Sequence, residues 1–301
     1  MQNTATPRQI TRKDRQRTAL QTEAISTQGF YSVNGKNVQL PGHEFVTDVE
    51  HIPASSSGPV PCAGGDASAP VYILANMDSF GALQRFADDT SAAAVHNFAS
   101  ATHPGGGFFS GARAQEESLC RESTLYASLR SRYANKVFYG RNRAFGWGEF
   151  YPDDMLYSPH VIVFRNDSLD LLDQPFVTSV FTLPAPNCSH NARAAHASSE
   201  DVRMHIRVRL ETMFRAAQER GVRTLVLGAW GCGAFHIDPR LVAQNMRDLL
   251  VSDGWDRCFD TLIFAVRGDA NGENFQSFRN TFADEFGENV YTDGTAPAYV
   301  R

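Results

Sequence analysis

Two glutamates, Glu116 and Glu117, stand directly after Gln115, and seven residues separate this triplet from a run of three glycines, Gly105, Gly106 and Gly107. Carboxyl groups in such a setting can donate a proton to a departing group or hold hydroxyls. Glycines have no Cβ, so they admit positive φ and close ligand approach, and their amide N–H groups can meet phosphate. A second glycine-rich stretch, Gly228-Ala-Trp-Gly-Cys-Gly-Ala-Phe235, spaces Gly228, Gly231 and Gly233 so that the chain can wrap an anion, with Phe235 placed to lie against a sugar or base. Two such loops can grip a diphosphate from both sides. Each piece alone has a plain structural explanation. Glycines make tight connections, and acidic residues at a helix start oppose the helix dipole. Their coincidence in one strand–loop–helix unit, with a second loop later in the chain, favours a ligand site.

Neither loop carries the Lys-Ser/Thr of a nucleoside-triphosphate P-loop, and neither fits G-x-G-x-x-G followed by a distant acidic residue, so nucleotide hydrolysis and hydride transfer lose their main support. The histidines, including His96, His103 and His236, form no ligand cluster with cysteines or carboxylates; no metal and no cofactor is expected. Five scattered cysteines without a C-x-x-C pair suit free thiols in a reducing compartment.

The elements that must position these residues follow the apolar pattern. Short apolar runs predict strands over 71–74, 92–98, 160–164, 176–181, 224–227 and 261–266, and amphipathic segments predict helices over 79–90, 114–132, 200–220, 238–251 and 274–286. Strand and helix take turns, which implies an α/β sandwich with a mixed or mostly parallel sheet covered on both faces, and a ligand seated outside the strand ends. Residues 1–60 are polar, with one helix over 11–27 that stops near Gly29. The Ser/Gly/Pro-rich run from Ser55 reads as a connector, which divides the chain into an N-terminal helical extension, 1–60, and a main domain, 61–301. The ring-rich segment 138–151 reads as a packed surface loop, with one side of a ligand cleft as the sharper alternative. Asn274 and Phe275 lie where an α/β ligand site is approached.

A chain of 301 residues with 28 basic and 33 acidic side chains carries a formal charge of −5, so no overall positive field holds nucleic acid and general nucleic-acid binding is not expected. No apolar stretch approaches the ~20 residues of a membrane span. The basic N-terminus lacks the apolar run of a secretory signal, so the expected location is intracellular, cytoplasmic or nuclear.

On the residues quoted above, together with Asn97-Phe-Ala-Ser-Ala101 and Gly111-Ala-Arg-Ala-Gln-Glu-Glu-Ser-Leu-Cys120, the sequence resembles the bacterial-type poly(ADP-ribose) glycohydrolases. The resemblance spans most of the chain. It implies a macrodomain-like three-layer α/β/α sandwich with a mixed sheet, plus a small N-terminal helical extension. It implies hydrolysis of ribose–ribose O-glycosidic bonds, with poly(ADP-ribose) and ADP-ribosylated proteins as substrate and ADP-ribose as product. Glu117 would then be the catalytic acid, Glu116 would bind ribose hydroxyls across the scissile bond, and Gln115 would help position the substrate. Gly105, Gly106 and Gly107, with Gly231, Cys232, Gly233, Ala234 and Phe235, would hold the diphosphate and distal ribose, and Asn97 would lie near that ribose. Ser100 departs from the family pattern, which often has asparagine there. A non-catalytic ADP-ribose reader and a mono-ADP-ribosyl hydrolase share the same fold and stay open at this point.

Overall fold

A computed structural model of the chain describes residues 9–55, 69–145, 150–189 and 196–292. The connector from residue 56, with Cys62, and Gly146–Glu149 of the ring-rich segment lie outside them.

Helix α1, Arg12–Gln28, opens on Thr11, whose side chain accepts from the Asp14 amide while the Asp14 side chain accepts from the Thr11 N–H. It closes on Gly29 in the left-handed conformation, as the sequence implies. A hairpin the apolar pattern does not reveal follows: β1, Phe30–Val33, and β2, Lys36–Gln39, turn through Asn34-Gly35, both at positive φ. Then come β3, Glu50–Ile52; β4, Val71–Ala75; α2, Ser79–Phe86; β5, Ala93–Asn97; α3, Gln115–Glu122; α4, Leu125–Leu129; α5, Arg132–Ala134; and α6, Gly140–Ala144. The second half of the chain adds β6, Met155–Arg165; β7, Leu171–Thr182; α7, Ser199–Glu219; β8, Thr224–Leu227; α8, Pro239–Arg247; β9, Thr261–Ala265; α9, Glu273–Thr281; α10, Ala283–Phe286; and β10, Val290–Tyr291.

Eight strands form one sheet in the order β10-β4-β9-β8-β5-β7-β6-β3, parallel except that β6 runs against both its neighbours. The central strands are buried on both faces. Leu225 and Leu227 of β8 point into a core shared with α7, α8, α9 and α10, while Val226 joins Ile73 and Val95 in a core on the opposite face with α2, α3 and α4. This is the three-layer mixed α/β arrangement expected from the sequence. Residues 1–60 contribute β3 to the edge of the sheet, and Ile25 of α1 joins Tyr31, Leu40 and Val46 in a third cluster against Ile162 and Phe164 of β6.

Several boundaries differ from the pattern for stated reasons. The helix expected over 114–132 breaks at Ser123-Thr124, because Ser123 bridges to Val163 and the Thr124 amide donates to the Ile162 carbonyl. The helix expected over 79–90 stops at Phe86, where Ala87 turns extended. The segment 238–251 is α8 continued by a π-helical turn, and 274–286 divides at Phe282 into α9 and α10. Phe138 and Tyr139, expected in a surface loop, are fully buried in the core beneath α3. Phe275 also packs in the core, almost fully buried.

Gly228, directly after β8, is packed so closely that a Cβ there would come 2.5 Å from the Ala265 carbonyl oxygen and 3.0 Å from the Phe98 ring. The carbonyl belongs to the neighbouring strand and cannot retreat. Gly228→Ala is therefore expected to destabilise the fold by about 1–3 kcal/mol, read as a lower denaturant midpoint; an unchanged midpoint would show that the strand ends are looser than the packing implies.

Candidate active site

β5 and β8 are parallel neighbours, with Val95 opposite Val226. The loops that leave their C-terminal ends, 98–114 and 228–238, therefore emerge side by side, which is why two glycine segments far apart in sequence share one end of the sheet. They are tied together below. The Leu183 amide donates to the Asn97 carbonyl, and Trp230 donates from Nε1 to the Leu183 carbonyl at 2.9 Å. The Trp230 ring lies 5.0 Å from His96, whose imidazole burial pushes down to about 3 and so keeps neutral.

The first loop passes over the start of α3 and meets the two carboxylates there. The Gly107 amide donates to Oε1 of Glu117 at 2.7 Å, and the Ser100 amide donates to Oε2 of Glu116 at 2.8 Å. Both side chains are nearly buried, 3% exposed for Glu116 and 8% for Glu117. Among the described residues, their other oxygens, Oε1 of Glu116 and Oε2 of Glu117, have no hydrogen-bond partner. A Cβ built on Gly106, at φ +54, would lie 2.5 Å from Oε1 of Glu117 and 3.1 Å from Oε2 of Glu116, so the two carboxyls converge on one backbone point that only glycine can occupy. Gly105 is buried against Tyr126 and Cys120. In this structure the backbone of Gly106 and Gly107 lies against the carboxylate pair.

Burial pushes the Glu116 carboxyl up to about 8; the Ser100 N–H opposes the rise and the neighbouring Glu117 adds to it. Gln115 is fully engaged by the frame. Its Oε1 accepts from the Phe98 amide at 2.8 Å, and its Nε2 donates to the His96 carbonyl at 2.7 Å and to the Ser79 hydroxyl at 3.1 Å. Asn97 is fully buried at the end of β5, with Nδ2 donating to Oγ1 of Thr182.

The second loop divides its glycines by role. Gly231, at φ +76, packs against Ile237 and Ala185, whereas a Cβ on Gly233 would meet nothing within 4 Å. Gly233 and Ala234 are exposed, Phe235 is half-buried against the core, and the Phe235 carbonyl accepts from the Cys188 amide. Among the described residues, no hydrogen bond engages the amides of Gly233, Ala234 and Phe235. The Cys232 thiol is pushed up to about 12 by burial, so it stays protonated and is no nucleophile. Among the described residues no group of three His, Cys, Asp or Glu side chains is placed to hold a metal ion, and no helix is long and apolar enough to cross a membrane.

Sequence reasoning missed the donors that orient the carboxyls, because they are backbone amides of Ser100 and Gly107; the only signal was the glycine run itself. It also missed Asn142 and Arg143, which donate to the carbonyls of Ala101 and Thr102 and hold the outer side of the first loop.

A buried carboxylate pair thus lies under a glycine loop, at the C-terminal ends of adjacent parallel strands of an α/β sandwich. The model of the microbial-type PARG catalytic domain matches residues 19–166. Among solved structures, the chain is similar to poly(ADP-ribose) glycohydrolase from Thermomonospora curvata, at 34% identity and a TM-score of 0.78, over 90% of this chain and 100% of that one. The same protein bound to the inhibitor ADP-HPD matches at 34% identity and a TM-score of 0.76, again over 90% and 100%. Poly(ADP-ribose) glycohydrolase from Deinococcus radiodurans in complex with ADP-ribose matches at 33% identity and a TM-score of 0.70, over 83% of this chain and 100% of that one. Comparison with curated proteins gives no match. The chain belongs to the microbial-type poly(ADP-ribose) glycohydrolases.

The raised Glu116 carboxyl has a consequence for stability. Between pH 4.5 and about 8 the folded chain holds a proton there that the unfolded chain releases. The contribution is full below the lower value and is lost as pH rises through the upper one, at about 1.4 kcal/mol per pH unit within the window. Glu116→Gln is expected to remove this slope. Denaturant midpoints measured across the window should fall with pH in the wild type and stay flatter in the variant; parallel curves would show that Glu116 does not hold the proton.

Proposed function

We propose that this chain is a poly(ADP-ribose) glycohydrolase that cleaves ribose–ribose O-glycosidic bonds and releases ADP-ribose, with Glu117 as general acid. The observation that carries the assignment is the Glu117 carboxyl itself, nearly buried, fixed through Oε1 by the Gly107 amide, with Oε2 unpartnered among the described residues. In this reading Oε2 delivers a proton to the departing ribose hydroxyl as the bond to the anomeric carbon breaks. Positive charge builds on that carbon, water adds to it, and the proton released by the water returns to Glu117. A neutral Glu116 keeps one donor and one acceptor for the ribose hydroxyls and avoids placing two charged carboxylates beside a diphosphate.

The uncommitted amides of Gly233, Ala234 and Phe235 are assigned to the diphosphate, and the Phe235 ring to the distal ribose, with Asn97 beneath it. The glycine run 105–107 serves that site through the carboxyls it admits, and Gln115 serves it by locking the end of β5 to α3. Residues 1–60 act as an accessory extension that braces the catalytic domain, 61–301. The substrates are poly(ADP-ribose) and ADP-ribosylated proteins.

Glu117→Gln keeps an oxygen for the Gly107 amide and loses the acid. Release of ADP-ribose from purified polymer is expected to fall by about 10²-fold or more, while ADP-ribose still binds with affinity close to wild type. A variant that keeps over a tenth of the wild-type rate would contradict the assignment. Wild-type binding of polymer without release of ADP-ribose would favour a non-catalytic reader.

A further inference from the structure

The first glycine loop leans on α1. Arg12 donates from Nε to the Ser110 carbonyl at 2.8 Å, Gln16 donates from Nε2 to the same oxygen at 3.3 Å, and Arg15 donates from Nε to the Gly111 carbonyl at 2.7 Å. Gly111 is buried at φ +74, and a Cβ there would come 2.7 Å from the Arg12 carbonyl oxygen, so loop and helix backbones are in direct contact. From this anchor the loop folds back on Gly107. The Ser110 amide, the Ser110 hydroxyl and the Ala112 amide all donate to the Gly107 carbonyl, at 3.0, 2.9 and 3.2 Å. The other side of the same residue gives its N–H to Glu117.

Helix α1 also holds the helix that carries the acceptor. The Thr22 hydroxyl donates to the Arg121 carbonyl at 2.7 Å, and Arg121 donates from Nη1 to the Ala112 carbonyl at 2.6 Å. Donor and acceptor of the Gly107–Glu117 hydrogen bond are therefore both referenced to α1.

The geometry points to Arg12 and Arg15 as positioning residues for the reaction proposed above, on which this inference rests: through the Ser110 and Gly111 carbonyls they keep the Gly107 amide on Glu117. Neither is a catalytic residue. What each contributes is a directed Nε–H from a planar guanidinium, which a lysine ammonium does not reproduce at that reach. Small displacements of a reacting group are costly, so the strap matters to turnover more than to affinity.

The test uses the full chain with Arg12→Ala and Arg15→Ala combined, beside the combined Arg12→Lys and Arg15→Lys variant. The alanine variant is expected to lose about tenfold or more in kcat while KM and the Kd for ADP-ribose move by less than about threefold. The loss should be equal on short oligomers and long polymer and unchanged by added salt, amide hydrogen exchange over residues 107–112 should quicken, and the lysine variant should not restore the rate. Restoration by lysine, or a loss confined to long polymer at low salt, would mean that the arginines act only as charges for the polyanion, and would overturn the inference. So would a kcat within about twofold of wild type or unchanged exchange. Should the double variant fail to fold, the single variants Arg12→Ala and Arg15→Ala, each removing one carbonyl contact, are read by the same criteria. A wild type that releases no ADP-ribose counts against the glycohydrolase reading, whereas the exchange measurement judges the strap by itself.

Discussion

The hydrogen bond from the Gly107 amide to Glu117 is the contact around which the site is built. Two adjacent carboxyls, both nearly out of water, are expensive unless backbone donors meet them. The donors here come from Ser100 and Gly107, residues that lie on either side of the Gly105–Gly106 turn. Bringing that backbone within reach leaves no room for a side chain at Gly106, where a Cβ would collide with Glu117. The glycine run, the burial of the glutamates and the raised Glu116 carboxyl are thus one structural solution.

That solution requires a fixed distance between loop and helix, and the chain provides it from several directions. Gln115 spends all of its amide on Phe98, His96 and Ser79, which fastens the first turn of α3 to the end of β5. Asn142 and Arg143 hold the outgoing half of the loop by its carbonyls, and α1 holds the returning half. The contacts to the loop backbone are mostly side chains donating to carbonyls, leaving the Gly107 N–H for the carboxylate. A loop without helix or sheet hydrogen bonds of its own is thereby as constrained as an element of regular structure.

How much of this was legible in the sequence depended on range. Thr224–Leu227 is a strand because a β-branched threonine and three apolar residues sit between turn signals, and the structure places β8 on those same residues. The spacing of Gly105–Gly107 and Gln115–Glu117 marked the site because one local unit carries both partners. The break at Ser123-Thr124 was not legible: the segment has helical periodicity, and what stops it is a hydrogen bond to Ile162, almost forty residues away. Phe275 looked like a ligand contact by its position after a strand, yet it is needed to fill the core under α9. The glycine run was read as part of a diphosphate cradle, and what sequence did not show is that the backbone of Gly106 and Gly107 also meets the two carboxyls. The orienting amides of Ser100 and Gly107 carry no residue-type signature at all.

The second loop shows the same ambiguity resolved glycine by glycine. Gly228, Gly231 and Gly233 look alike as letters, but two of them are packing positions and one is open. Gly228 lets β8 end against the Ala265 carbonyl, and Gly231 lets the chain turn between Ala185 and Ile237. With these two satisfied by neighbours, the following segment, Gly233 to Phe235, has amides uncommitted among the described residues and is held at its base by Trp230 on Leu183 and His96. In the proposed reading an anion would accept those N–H groups without first breaking hydrogen bonds that they make within the described residues. Because Trp230 and Asn97 both reach Leu183, the second glycine loop and the carboxylate-facing loop share one footing, so in the proposed reading a diphosphate on the first is set at a fixed distance from the second.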